Sequence, residues 1–146
     1  MNITKISYML LSALIGFIAV SACTRKSTPP RPLRPAQDFA LLDQNGQFHQ
    51  LSRSGSARAV VLVSYGVGCP MVRKYVDALH KIQQQFKDKA VFYWIDGNAQ
   101  DDPESVARES REFGNRIPVL MDETQLVTRA LGFTRTAQAL VVDPSS

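Results

Sequence analysis

A cysteine stands directly before a proline in SYGVGCPMVRKY, residues 64–75, where strand-forming residues give way to a helical pattern. A thiol at the first turn of a helix faces the positive end of the aligned peptide dipoles and N–H groups with no partner inside the helix, and both favour the thiolate. The thiolate is the nucleophilic form, so Cys69 points to thiol–disulfide exchange or to reaction with a hydroperoxide. Gly66, Val67 and Gly68 leave little side-chain bulk in front of the sulfur. Arg73 and Lys74, one turn along, would add positive potential or else are solvated helix residues. Against a working thiol stands the reading of Cys69 as a small, buried, inert side chain. Three residues on, Val72 occupies the place where a Cys-x-x-Cys pair would have its second thiol.

Other chemistries find less support in the chain. His49 and His80 are the only histidines, and neither has metal-ligand spacing with Cys69, which argues against a copper carrier; no metal and no cofactor is expected. Asp96, ahead of Gly97-Asn98, is a proton shuttle for a redox site or simply the acid of a turn. The pairs Asp101/Asp102 and Asp122/Glu123 read as helix starts. No phosphate-cradling glycine loop and no Ser-His-Asp pattern is present.

The elements that must position Cys69 follow from short apolar runs alternating with amphipathic ones, the pattern of an α/β domain. Residues 39–42 and 48–51 predict strands of a hairpin across Asn45-Gly46. Residues 59–63 and 91–95 are continuous apolar runs, expected as buried strands. Between them Val72, Tyr75, Val76, Leu79, Ile82 and Phe86 mark one helical face, with Pro70 in the first turn, where no backbone N–H is needed. A second helix is expected from an Asp102 N-cap to Gly114, then a strand over 118–121, a short helix from Glu123 to Leu131 stopped by Gly132, and a last strand over 139–142. The spatial order of the strands is not legible.

The start of the chain reads as an address. Lys5 precedes an apolar run from Tyr8 to Val20, and Val20-Ser21-Ala22-Cys23 resembles the bacterial lipobox, in which the cysteine is lipidated and becomes the first mature residue. Residues 1–22 are thus expected as a lipoprotein signal peptide; the other reading is an uncleaved anchor, and either leaves the domain outside the cytoplasm and tied to a membrane. Thr24 after the lipidated cysteine would suit the periplasmic face of the outer membrane in a Gram-negative cell. Residues 23–37, rich in proline and arginine, are expected as a stiff tether near lipid headgroups, and residues 38–146 as the single domain. The formal net charge of +4 invites a nucleic-acid reading. Five of the seventeen basic residues, however, lie before residue 38, leaving twelve against thirteen acidic residues in the domain. Nucleic acid is therefore excluded as a partner.

From about Asp38 to Asp143 the chain resembles the thioredoxin-like redoxins, the group holding the alkyl hydroperoxide reductase and thiol-specific antioxidant domains together with thiol:disulfide oxidoreductases. DFALLDQNGQFHQLS resembles their opening hairpin, VVLVSYGVGCPMVRKY their central strand and active-site turn in a single-cysteine Cys-Pro-x-x-x-x-Tyr subgroup, and IPVLMDETQLVTRALGFTRTAQALVVD their closing section. The resemblance implies a thioredoxin-like α/β fold, a central mixed sheet with flanking helices and an N-terminal hairpin. It also implies an oxidoreductase in which Cys69 attacks a protein disulfide or a hydroperoxide and an external thiol or partner protein restores it. Pro70 would shape the helix start, with Gly68, Arg73, Arg135 and Ala137 as supporting positions.

Three departures from the family pattern carry physical meaning. The single thiol cannot resolve a mixed disulfide within its own site, and Cys23, if lipidated, is not available for it. Gly66 stands where a peroxiredoxin site has a threonine hydroxyl, and Ser64 is two residues too early to replace it. Ala137 stands where relatives have a cis-proline, so the Thr136–Ala137 bond is expected to be trans, since a non-proline cis bond costs about 2.5–4 kcal/mol. Relatives also continue past Leu140-Val141-Val142 into an edge strand and a terminal helix, whereas Asp143-Pro144-Ser145-Ser146 closes this sequence, so either the protein is truncated or one face of its sheet is less covered, with an exposed edge or face that could accept a partner. These departures favour the competing reading, a thioredoxin-fold binding or assembly module without catalysis.

Overall fold

The computed structural model describes residues 34–144. The signal, the lipobox Cys23 and most of the tether lie outside the described residues. Two runs rich in β-branched and aromatic residues make the centre of the sheet. β4 (Ala59–Tyr65) and β5 (Ala90–Asp96) pair in parallel along their whole length, Ala59 opposite Ala90 and Tyr65 opposite Asp96. β6 (Val119–Met121) adds in parallel to β5, and β7 (Ala139–Asp143) runs antiparallel to β4, with Val63 opposite Ala139. A two-residue strand β1 (Arg34–Pro35) lies parallel to the outer side of β7, giving the order β1-β7-β4-β5-β6. The hairpin β2 (Ala40–Leu42) and β3 (Phe48–Gln50) forms a separate two-stranded sheet. Its turn is closed by the Asp43 carboxylate, which accepts from the N–H groups of Asn45 and Gln47, and by Gly46 at φ +75°.

The two central strands send alternate side chains to opposite faces. On one face Val63, Tyr65, Phe92 and Trp94 pack with Val72 and Val76 of α1 (Pro70–Phe86) and Val106 of α2 (Pro103–Glu112). On the other, Leu62, Ile95 and Val142 pack with Ala36, Leu51 and Leu131, the last residue of α3 (Leu126–Leu131). α2 starts at the expected N-cap, Asp102, and the structure adds a reciprocal capping box between Asp102 and Ser105. α1 buries only Val72 and Val76 of its apolar face; Leu79 is half-buried, and Tyr75, Ile82 and Phe86 stay exposed.

Three other expectations need correction. The short helix begins at Leu126 instead of Glu123, because Gln125 takes a left-handed φ of +59° and the Asp122 carboxylate binds Thr124 Oγ1 and the Thr128 N–H, holding residues 122–125 as a turn. The sheet edge beyond the last strand is not wholly open: Arg34 and Pro35 pair with Val142 and Asp143, and Ala36 is buried. The last residues of the segment read as tether therefore belong to the sheet. Val61, Val91 and Tyr93, expected as fully buried strand residues, are only partly covered.

Candidate active site

β4 ends at Tyr65, and a four-residue turn carries the chain to the first turn of α1. The Cys69 N–H reaches back to the Gly66 carbonyl at 3.3 Å, and Gly68 sits at φ +75°, where a side chain would be strained. Cys69 is the N-cap of α1: its backbone is extended (φ −76°, ψ 116°), the Cys69 carbonyl accepts the Arg73 N–H at 3.2 Å, and Pro70 is the first helical residue.

The half-buried sulfur lies 3.1 Å from Thr136 Oγ1. Gly66 makes room for that partner, because a Cβ there would come within 3.0 Å of the Thr136 methyl carbon. A hydroxyl thus reaches the sulfur from a distant segment of the chain. Burial pushes the Cys69 thiol up, but the Thr136 hydroxyl and the backbone N–H groups of Val72 and Met71 outweigh it; the Glu109 charge opposes them, and the net pKa is below the ordinary thiol value.

Thr136 is held by stitching between its loop and β4. The Ser64 hydroxyl donates to the Arg135 carbonyl at 2.6 Å and accepts the Gln138 N–H at 3.0 Å, while the Ala137 N–H donates to the Ser64 carbonyl at 2.8 Å. Ser64 therefore acts in the site by holding this loop. The Thr136–Ala137 bond is trans, and Ala137 has φ +59°. Arg135 is exposed and joins Thr136 in lining a solvent-open cavity of about 380 Å³ with Asn98, Gln125 and Arg129. The Arg73 guanidinium lies over the Phe113 ring, 4.8 Å from its centroid.

Behind the turn stand three carboxyl groups. Asp101 accepts the Val67 N–H at 2.8 Å; Glu109, on α2, accepts the Gly68 N–H at 2.7 Å and the buried Tyr65 hydroxyl. Burial and the Glu109 charge push the Tyr65 phenol far above its ordinary value, so it stays a donor. Asp96, at the end of β5, is almost wholly buried; one of its oxygens accepts the Asn98 N–H and the other has no hydrogen-bond partner among the described residues. Burial raises its pKa to about 7, helped by the charges of Asp101 and Glu109. Of its two readings, the turn is the one the geometry supports: its carboxylate accepts the Asn98 N–H. His49 pairs with Asp43 at 3.0 Å, and His80 accepts the Arg116 N–H at 3.0 Å.

Of the residues singled out in the sequence, Cys69, Pro70 and Gly68 lie together in the turn, Arg73 packs on Phe113 and Arg135 lines the cavity; Asp101, read as part of a helix start, instead accepts the Val67 N–H, and Thr136, Glu109 and Tyr65 were not singled out. A signal existed for one of them: Glu109 falls on the same helical face as Val106, so a carboxylate on a buried stripe demanded a partner. Thr136→Val, which keeps the shape and removes the hydroxyl, is expected to raise the Cys69 pKa and slow alkylation at neutral pH several-fold. An unchanged pH profile would show that the hydroxyl does not bond the thiolate.

A family model described as Redoxin matches residues 33–145. Among solved structures, the chain is 26% identical to a hypothetical protein of Sinorhizobium meliloti, with a TM-score of 0.69 over 76% of this chain and 64% of that one. It is 27% identical to an uncharacterized conserved protein of Geobacillus kaustophilus, with a TM-score of 0.69 over 78% of this chain and 65% of that one. The chain thus spans just under two thirds of the length of each. The exposed lipoprotein thioredoxin of Streptococcus pneumoniae, 17% identical over 75% of this chain and 83% of its own, shares the fold with a TM-score of 0.65. No curated protein matches. The sheet order, the flanking helices, the hairpin and the match over residues 33–145 agree: the chain has a thioredoxin-like fold and belongs to the redoxin family.

Proposed function

We propose that the protein is a thiol oxidoreductase that works outside the cytoplasm from a lipid anchor at Cys23, with Cys69 as its nucleophile. The observation that carries the reading is the Cys69 sulfur at the N-terminus of a 17-residue helix, 3.1 Å from a hydroxyl, with its pKa drawn below the ordinary thiol value. In the disulfide reaction the thiolate attacks one sulfur of R–S–S–R′, the Cys69–S–R bond forms, and R′S⁻ leaves and takes up a proton. An external thiol R″SH then attacks the R sulfur, giving R–S–S–R″ and free Cys69. With a hydroperoxide the thiolate takes the distal oxygen, leaving an alcohol and a sulfenic acid, which two external thiols return to the thiol with loss of water. Val72, fully buried, offers no second sulfur for either return step. The lipobox-like Val20-Ser21-Ala22-Cys23 supports the anchor, and a lipoprotein with this fold in Streptococcus pneumoniae is consistent with it.

The test is the rate of iodoacetamide alkylation of the full chain against pH, read on the Cys69 peptide by mass spectrometry with Cys69→Ser as blank. A midpoint clearly below the free-thiol value of about 8.5 is expected, together with turnover of a small disulfide or of cumene hydroperoxide that the Cys69→Ser variant loses completely. A midpoint at the free-thiol value with no turnover would favour the binding or assembly module.

A further inference from the structure

We infer that Glu109 is the positioning residue of the Cys69 turn: its carboxylate holds Gly68 and Tyr65 together and so fixes the sulfur at the helix start. This rests on Cys69 being the reactive thiol. The geometry is specific. Gly68 precedes Cys69 directly and needs a positive φ, and its N–H points at Glu109 Oε1 at 2.7 Å. The other carboxylate oxygen takes the hydroxyl of Tyr65, the last residue of β4, so a single side chain from α2 spans both ends of the Gly66–Gly68 segment. Glu109 is 7% exposed. A buried carboxylate without donors is costly, and here one donor is the Gly68 N–H of the turn and the other the Tyr65 hydroxyl at the end of β4.

A clamp made of neutral groups would hold the same turn. A charged one also has an electrostatic effect, because Glu109 opposes ionisation of Cys69. The turn therefore exposes the sulfur to the helix dipole and the Thr136 hydroxyl while a fixed anion limits how far the pKa falls. The other charged or titratable groups around the site are Tyr65 on β4, Asp96 at the end of β5, Asp101 in the loop after it, Arg73 on α1 and Arg135 beside Thr136.

Reach and charge separate in two substitutions. Glu109→Gln keeps an acceptor for Gly68 and removes the charge, and the alkylation midpoint of Cys69 is expected to fall, with the rate at pH 6 rising several-fold. Glu109→Asp keeps the charge but, one methylene shorter, loses the bond to Gly68; the midpoint is expected to rise and the rate at pH 6 to fall several-fold. A filler role predicts no such opposite signs. If Glu109→Gln leaves the midpoint unchanged or raised, or Glu109→Asp matches the wild type, the inference is wrong. Hydrogen exchange of the Gly68 amide in the wild-type protein decides the matter where a variant misfolds. Slow exchange supports the clamp; exchange as fast as in an unstructured glycine overturns it. Opposite shifts around an ordinary wild-type midpoint would uphold the clamp and defeat the oxidoreductase reading, so the two failures are distinguishable.

Discussion

Replacing Ala137 with proline, the residue the redoxin resemblance expects there, is expected to destabilise the protein by about 1–3 kcal/mol. The change looks like a restoration, but the local backbone forbids it. Proline fixes φ near −65°, whereas Ala137 sits at +59° and donates its N–H to the Ser64 carbonyl. That bond is one of those by which Ser64 holds residues 135–138, so its loss would also release Thr136 from the Cys69 sulfur. Ala137→Gly is the control: it accepts the positive φ, relieves strain of about 1–2 kcal/mol, and gives part of that back in unfolded-state entropy. Urea unfolding of both variants measures the contrast. A proline variant as stable as wild type would show that this loop can adopt the cis-proline form, and the argument from Ala137 would fall.

The second large effect is a pH dependence of stability. The pKa of Asp96 is about 7 in the folded protein, through burial first, against an ordinary 3.8. Between those values the folded state holds a proton that the unfolded chain releases. The stability associated with protonated Asp96 is therefore fully present below about pH 4 and is lost as pH rises through 7. A shift of about three units corresponds to roughly 4 kcal/mol. Asp96→Asn removes the titration, keeps an acceptor for the Asn98 N–H, and places an amide donor at the carboxylate oxygen that has no hydrogen-bond partner among the described residues, with the Asp101 carboxylate near it. The variant is expected to match wild type near pH 4 and to exceed it at pH 8 by up to about 4 kcal/mol. Parallel stability curves for the two proteins across pH 4–8 would rule out burial of a titrating Asp96.

Most elements were legible because their signals are local. Continuous apolar runs marked β4 and β5, Pro70 marked the first turn of α1, Asp102 marked the N-cap of α2, and Gly132, at φ +73°, ends α3. The place of Cys69 at a helix start was legible for the same reason, from the proline beside it and the helical pattern after it. What escaped depends on contacts between distant segments. Thr136 is 67 positions from the sulfur it touches, and Glu109 is 41 from the glycine it holds, so no spacing rule could join them. β1 was hidden because a Pro/Arg-rich stretch has no apolar alternation, and its two-residue pairing comes from the open edge of β7. The α1 face was over-read: helical periodicity predicts which residues share a side, but covering that side depends on what packs there, and Tyr75, Ile82 and Phe86 stay exposed.

Val72 sets the timing of the proposed chemistry. A sulfur at that buried position would release a captured partner in a first-order step, at a rate written into the fold. With a hydrocarbon there, and with Cys69 reacting as proposed, a covalent adduct would last as long as the surrounding thiol concentration dictates. The wild-type protein would behave as a trap that holds its partner in thiol-poor surroundings and discharges it in thiol-rich ones, so its catch would be isolable by non-reducing electrophoresis without a trapping mutation.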